Sequence, residues 1–205
     1  MSRRLIDITL DNLGDLPDRC RSCVYWELDP AAGERAKEAG ASHLEKEAWV
    51  SDTLLQWGSC GKLLYVDSTP AGYVMFAPPG YVPRATAFPT SPASPDAILL
   101  MVARLHPQFR GAGLGRMLLQ GVARDAARRA VKAVEAFGYE GSGTQTDCVL
   151  PADYLRAVGF KTVRPHPRFP RLRLNVRSIA SWREDVEYAV ERLLSSMTPP
   201  ALSRS

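Results

Sequence analysis

The chain has no run of about 18 apolar residues, the length a membrane-spanning helix requires. Its opening, Met1-Ser2-Arg3-Arg4, carries none of the apolar core of an export signal. Both absences predict a soluble, cytoplasmic protein without a membrane partner. Cysteine is scarce, with four in 205 residues at Cys20, Cys23, Cys60 and Cys148. Cys20 and Cys23 form a C-x-x-C, but a zinc site needs a second ligand pair at a defined spacing. Cys60 and Cys148 stand alone and the histidines are scattered at His43, His106 and His166, so no metal is expected. The i, i+3 spacing instead places Cys20, Cys23 and Trp26 near one helix face, as core. A strong excess of one charge is also missing. Lys+Arg 26 against Asp+Glu 22 leave +4. With neither a basic helix nor an aromatic-basic strand motif, no nucleic-acid partner is expected. At this length the chain can close one sizeable core but not two comfortable domains.

What the chain does have is concentrated in residues 104–119. An apolar run over 97–105 reads as a strand and ends at Pro107. The loop Arg110-Gly111-Ala112-Gly113-Leu114-Gly115-Arg116 follows, then a helical pattern of Leu114, Met117, Leu118, Gly121 and Val122. Strand, glycine loop and helix start form a phosphate cradle. Glycines let backbone N–H groups turn toward an anion with no Cβ in the way. The free amides of a first helical turn add about half a positive charge at the same point. Arg110 and Arg116 flank the loop and can add charge-assisted contacts. No Gly-Lys-Ser/Thr closes the loop, so it is not a P-loop. Arg116, Met117 and Leu118 stand where a dinucleotide turn needs its third glycine.

The segment resembles the acetyl-CoA loop of the GNAT N-acetyltransferase superfamily, Gln/Arg-x-x-Gly-x-Gly/Ala, with Arg110, Gly113 and Gly115 in the pattern. Leu105-His106-Pro107 precedes it, much as the family's strand-end Val-x-Pro does. Elsewhere the order agrees. A helix is expected over 36–57, with apolar Leu44, Ala48, Val50, Leu54 and Leu55, and a β-hairpin over 62–77. After the loop come a helix to about Ala130, a strand over 131–139, a short helix over 152–158 and strands over 161–164 and 171–176. Gly159-Phe160 is similar to the Gly-Phe that closes the second GNAT motif. The resemblance implies one α/β (α+β) domain over 1–176, with a mixed, mostly antiparallel sheet of six to seven strands flanked by helices. Residues 177–205 are expected as a C-terminal helical extension and frayed tail, packed on the domain or on a second subunit of a homodimer. Residues 77–95 hold six prolines, Tyr81, Arg84 and Phe88. So long a loop is either disordered or a lid on the substrate side.

The same resemblance implies an acetyl-CoA-dependent N-acetyltransferase acting on a primary amine, with a protein lysine favoured and a small amine also open. A CoA-binding regulatory module without activity is the alternative. The strands over 97–105 and 131–139 should splay apart to admit the pantetheine arm, with backbone N–H groups around Arg104 and Leu105 holding it. Glu135, the carboxylate inside the second strand, fits two roles, a general base of raised pKa or an ion-paired strand residue. Glu140, Asp96 and Asp147 are weaker candidates for the base. The family's thiolate-protonating tyrosine falls at position 155, which is leucine here, with Tyr154 one residue earlier. One residue is about 100° of helix, so Tyr154 is the candidate catalytic acid only if the register shifts, and otherwise its ring packs in the core beside Phe160. Cys148 takes the place of an asparagine that often contacts the pantetheine.

Overall fold

The computed structural model describes residues 2–141 and 148–178. Strand β1 (Arg3–Asp7), absent from the sequence-based expectation, pairs antiparallel with β2 (Gly61–Val66), which forms a hairpin with β3 (Thr69–Ala77). Asp67 takes a left-handed φ of 54° in the turn. The sheet continues antiparallel to β4 (Ala97–Leu105), then parallel to β5 (Ala133–Tyr139). A two-residue β6 (Leu150–Pro151) pairs parallel with β5, while β7 (Lys161–Arg164) and β8 (Arg171–Asn175) close the far edge antiparallel. The order is β1-β2-β3-β4-β5-β8-β7 with β6 off the path, eight strands in all.

Each face of the sheet carries its own core. On one side Ile98 and Leu100 of β4 pack with Leu118 and Val122 of α4 (Leu114–Arg128) and with Leu155 of α5 (Ala152–Ala157). Asp125 of α4 is fully buried, accepting from Ser59 Oγ at 2.7 Å and pairing with Lys62 Nζ at 2.9 Å, which fixes the helix on β2. On the other side Leu99 and Met101 pack with Trp26, Trp49, Phe88 and Phe137. That face is covered by α1 (Asp18–Arg21) and α3 (Ser42–Trp57), with α2 (Pro30–Glu38) packed on α3. The single helix expected over 36–57 is thus two, divided at Gly40 with φ 65°. Its inward face also differs from the apolar reading. Lys46, Trp49, Val50 and Thr53 are buried, whereas Leu44 and Leu55 are 57% and 82% exposed. Lysine takes a core position because Glu27 is there to pair with it.

The proline-rich segment packs into the core on the α3 face through Val82, Ala85, Phe88 and Ala93. It makes two short 3-10 turns, Pro79–Tyr81 and Pro83–Ala87. Phe88 then inserts between Trp26 and Phe137, with ring centroids 5.2 and 4.5 Å away. Arg84 lies 4.3 Å over the Tyr25 ring, and Trp49 Nε1 donates to the Tyr81 carbonyl at 2.6 Å. The expected C-terminal helix and frayed tail, and Asp147, lie outside the described residues.

Candidate functional site

β4 and β5 pair only at Ala97–Ala133, Ile98–Val134 and Leu99–Glu135. Two residues later the β3–β4 register skips Met101, going from Leu100 opposite Phe76 to Val102 opposite Met75. Met101 and Val102 consequently both turn to the α3 face, breaking the alternation of a regular strand. An extra residue bends a strand and raises its local twist. The bulge therefore carries β4 away from β5 where their ladder ends. Among the described residues, 100–105 of β4 have no strand partner on the β5 side, and β6 pairs β5 at Gly138 and Tyr139.

A cavity of about 580 Å³ opens at this split on the α4 side. Ala103, Arg104 and Leu105 line one wall, Leu150, Pro151 and Tyr154 another, and Arg110, Gly111, Gly115 and Arg116 its end. Gly113 is the N-cap of α4 with φ 74°, and no side chain caps the helix. Gly111 also has a left-handed φ, 82°. A Cβ built on Gly111 or Gly113 meets nothing within 4 Å, so the space above these backbones is open. A Cβ on Gly115 would instead lie 3.4 Å from the Tyr154 hydroxyl and 3.7 Å from Leu105 Cδ1, narrowing the passage. Open positive-φ glycines before an uncapped helix start suit a pyrophosphate, which needs close backbone approach and N–H donors.

Tyr154 thus faces the cavity, against the expectation drawn from helical phase. Pro151 precedes the first turn of α5, and Ala152 and Leu155, three apart and fully buried, take its core positions. That phase turns the neighbouring Tyr154 toward the cleft. Its hydroxyl has no hydrogen-bond partner among the described residues, and burial raises its pKa above the ordinary value.

Glu135 sits at the closed end of the split, fully buried, and does not line any of the cavities described. It accepts from the Ser94 N–H at 3.0 Å and pairs with Arg171 at 2.5 Å and Arg173 at 3.1 Å. Burial pushes its pKa up, but the Ser94 hydrogen bonds and the Arg171 pair outweigh it and hold the carboxyl below its ordinary range. Asp96 is bound by Arg173 and Glu140 by Arg156.

On the α3 side two further cavities reach the same point of β4. One of about 540 Å³ is lined by Asp15, Asp18, Arg19, Gly72, Tyr73 and His106 among others. The other, about 50 Å³, is lined by Cys20, Cys23, Glu27, Lys46 and Cys148. Arg104 lines both, as well as the larger cavity on the opposite side, and its guanidinium forms no hydrogen bond or ion pair among the described residues. Lys46 and Glu27 form a buried pair, Lys46 Nζ also donating to the Cys23 carbonyl at 3.1 Å. Cys148 lies on this side, its Sγ 3.5 Å from Cys23 Sγ, and is not among the residues lining the glycine-loop cavity. Cys20 and Trp26 are core as expected, but α1 ends at Arg21 and Cys23 is only half-buried, with its sulfur against that of Cys148. Sequence reasoning missed Glu27, Lys46 and Tyr73 as cavity-lining residues. The available signal was a lysine in the buried stripe of α3.

No curated protein matches the sequence significantly. The fold is similar to PaiA N-acetyltransferase from Thermoplasma acidophilum, solved with coenzyme A, at 13% identity and TM-score 0.56 over 85% of this chain and 99% of that one. An N-acetyltransferase from Staphylococcus aureus Mu50 is similar at 12% identity and TM-score 0.52, covering 86% and 99%. An acetyltransferase from Thermus thermophilus gives 16% and 0.50, covering 85% and 97%. Residues 22–142 match the model of the acetyltransferase (GNAT) family. With more than half its length in that match, on a sheet that splits above a glycine loop, the chain belongs to the GNAT family of acetyl-CoA-dependent acetyltransferases.

Proposed function

We propose that the chain transfers acetyl from acetyl-CoA to a primary amine that enters from the α3 side of the split, and that the side chain of a protein lysine is the acceptor. The end of the β4–β5 ladder at Leu99–Glu135 carries this reading, because it lets cavities from both faces of the sheet meet at Arg104. Backbone amides of 111–116 and the guanidinium groups of Arg110 and Arg116 would hold the pyrophosphate. The free edge of β4 around Arg104 and Leu105 would take the pantetheine amides as a strand takes a neighbour. The cosubstrate supplies the acetyl thioester. Tyr154 donates its phenolic proton to the departing sulfur, a role its raised pKa and unpartnered hydroxyl suit.

We assign Glu135 to structure. A carboxylate held by two arginines and an amide is a poor proton acceptor, and its charge keeps β5, β8 and the Ser94 loop together. The attacking amine then loses its proton to water in the α3-side cavity. That cavity carries Asp15 and Asp18 but also Arg19, Arg104 and Arg110, so its charge alone does not choose the acceptor. Its volume, about 540 Å³, suits an extended side chain. A small amine is the second reading, favoured by the 50 Å³ pocket beside it. The position of the Tyr154 hydroxyl speaks against a module that binds CoA without turning it over. CoA thiol release across a panel of lysine peptides and small amines tests the assignment. Release with lysine peptides is expected, whereas release with small amines alone would replace the acceptor class, and release with none would remove the activity.

A further inference from the structure

Three of the four cysteines gather on the acceptor side of the split, and they are not equivalent. Cys60 is fully buried and burial pushes its thiol up to about 12, so it stays unreactive. Cys20 is buried beside Tyr73. Cys23 and Cys148, 125 residues apart in sequence, hold their sulfurs 3.5 Å from each other. Their backbones are pinned on both sides. The Cys23 carbonyl accepts from Lys46 Nζ at 3.1 Å, and the Cys148 carbonyl accepts from Trp26 Nε1 at 2.7 Å. Cys23 also lines a second cavity of about 360 Å³, with Ser22, Tyr25, Asp29, Lys37 and Arg84, which gives small solutes a route to its sulfur. The Cys148 thiol lowers the pKa of Cys23 to about 6 by hydrogen bonding to it, which burial only partly opposes, and Cys148 is raised in return. Of the two residues only Cys23 also lines the second cavity, so its sulfur is the one a peroxide reaches, and its lowered pKa favours the thiolate that reaction needs.

We propose that Cys23 and Cys148 are a redox dithiol, which peroxide closes into a disulfide across the acceptor-side cavity and a dithiol reductant reopens. The Cys23 thiolate attacks one peroxide oxygen. The S–O bond forms, the O–O bond breaks, and the hydroxide released takes a proton to become water. Cys148 sulfur, giving up its proton, then attacks the sulfenic sulfur of Cys23. The S–S bond forms, the S–O bond breaks, and a second water leaves. Two thiols are oxidised by two electrons and one peroxide is reduced to two waters. The sulfurs need to approach by only about 1.5 Å to reach a disulfide length. Because both line the 50 Å³ cavity beside Arg104, the cross-link ties the segment after α1 to the segment entering β6 across that cavity. Its effect on turnover rests on the proposed transfer to an amine, while its formation does not.

The experiment uses the full chain, fully reduced and then treated with one equivalent of hydrogen peroxide. Free thiols should fall from four to two, and peptide mass mapping should place the link between Cys23 and Cys148. Cys23→Ser and Cys148→Ser should each abolish the link. Turnover, followed by loss of thioester absorbance, should fall about tenfold in the oxidised wild type, through acceptor KM, and return with a dithiol. Each variant, compared with itself, should respond to peroxide less than twofold. A link between Cys20 and Cys23, a thiol count that stays at four, or unchanged turnover in cross-linked protein would overturn the proposal. If no amine is turned over the acetyl-transfer reading fails, and the cross-link map alone decides this one.

Discussion

The two sides of the split are built in different ways. The α4 side is mostly backbone, with two positive-φ glycines, an uncapped helix start and a strand edge that has lost its partner. The α3 side is mostly side chains brought from distant parts of the chain. Asp15 and Cys23 come from the N-terminal segment, Lys46 from α3, Tyr73 from β3 and Cys148 from the approach to β6. Backbone sites are fixed by short stretches of consecutive residues, so they impose a local pattern. A side-chain site imposes none, because each residue answers only to neighbours the fold supplies. The glycine-loop side accordingly follows a short pattern in the sequence, and the α3 side follows none.

The sharpest way to separate the sides is at Gly113. A valine there puts a Cβ into the open space above the loop and must adopt a left-handed φ, costing about 1–2 kcal/mol of stability. Losing two charge-assisted contacts to pyrophosphate is worth about 3 kcal/mol, or roughly 100-fold in affinity. Calorimetry on folded Gly113→Val should show that loss. Unchanged affinity would mean that the phosphates lie elsewhere.

Glu135 tests whether the closed end of the split is a strut or a catalyst. Glu135→Gln strands Arg171 without its buried anion while Arg173 keeps Asp96, at a cost of about 3 kcal/mol and about 6–12 °C in melting temperature. Turnover in the folded fraction should stay within a few-fold of wild type. A loss of about 100-fold would restore Glu135 as general base. The folded pKa of Glu135 lies below its ordinary 4.5, so its stabilisation is present above that value and is lost as pH falls through the lower one. Urea midpoints between pH 6 and 3 should therefore fall more steeply for wild type than for Glu135→Gln. Parallel curves would remove the ion pair from the account.

Tyr154 is the smallest of these effects. Tyr154→Phe keeps the ring and removes the hydroxyl, and should lower turnover about tenfold with little change in melting temperature. Near-normal turnover would leave the thiolate to solvent and return the ring to packing beside the core.

These contrasts track what was legible in the sequence. Strand, loop and α4 could be read from Gly111, Gly113 and Gly115 with the apolar spacing on either side, because each element answers to its own residues. The family pattern supplied the sheet and the expected opening between β4 and β5. The bulge at Met101 that makes the opening was not legible, since Met101 and Val102 are both apolar and alternation cannot show which one is extra. Tyr154 was left between cleft and core because a spacing counted back from Gly159 ignores which residues of α5 the core takes, here Ala152 and Leu155. The buried face of α3 was misread because Lys46 counts as a surface residue until Glu27 is known to stand opposite. In each case the outcome rests on how an element packs against the rest of the fold, which its own spacing does not show.

The central claim is that acetyl-CoA lies along the edge of β4 that β5 has left, with its phosphates on the glycine loop. Hydrogen exchange with and without acetyl-CoA reads both ends of that claim in one experiment. Amides in residues 100–105 and 110–116 should slow together, while those of β1 and β2 stay unchanged. Protection of the loop with none in 100–105, or protection in neither, would contradict it.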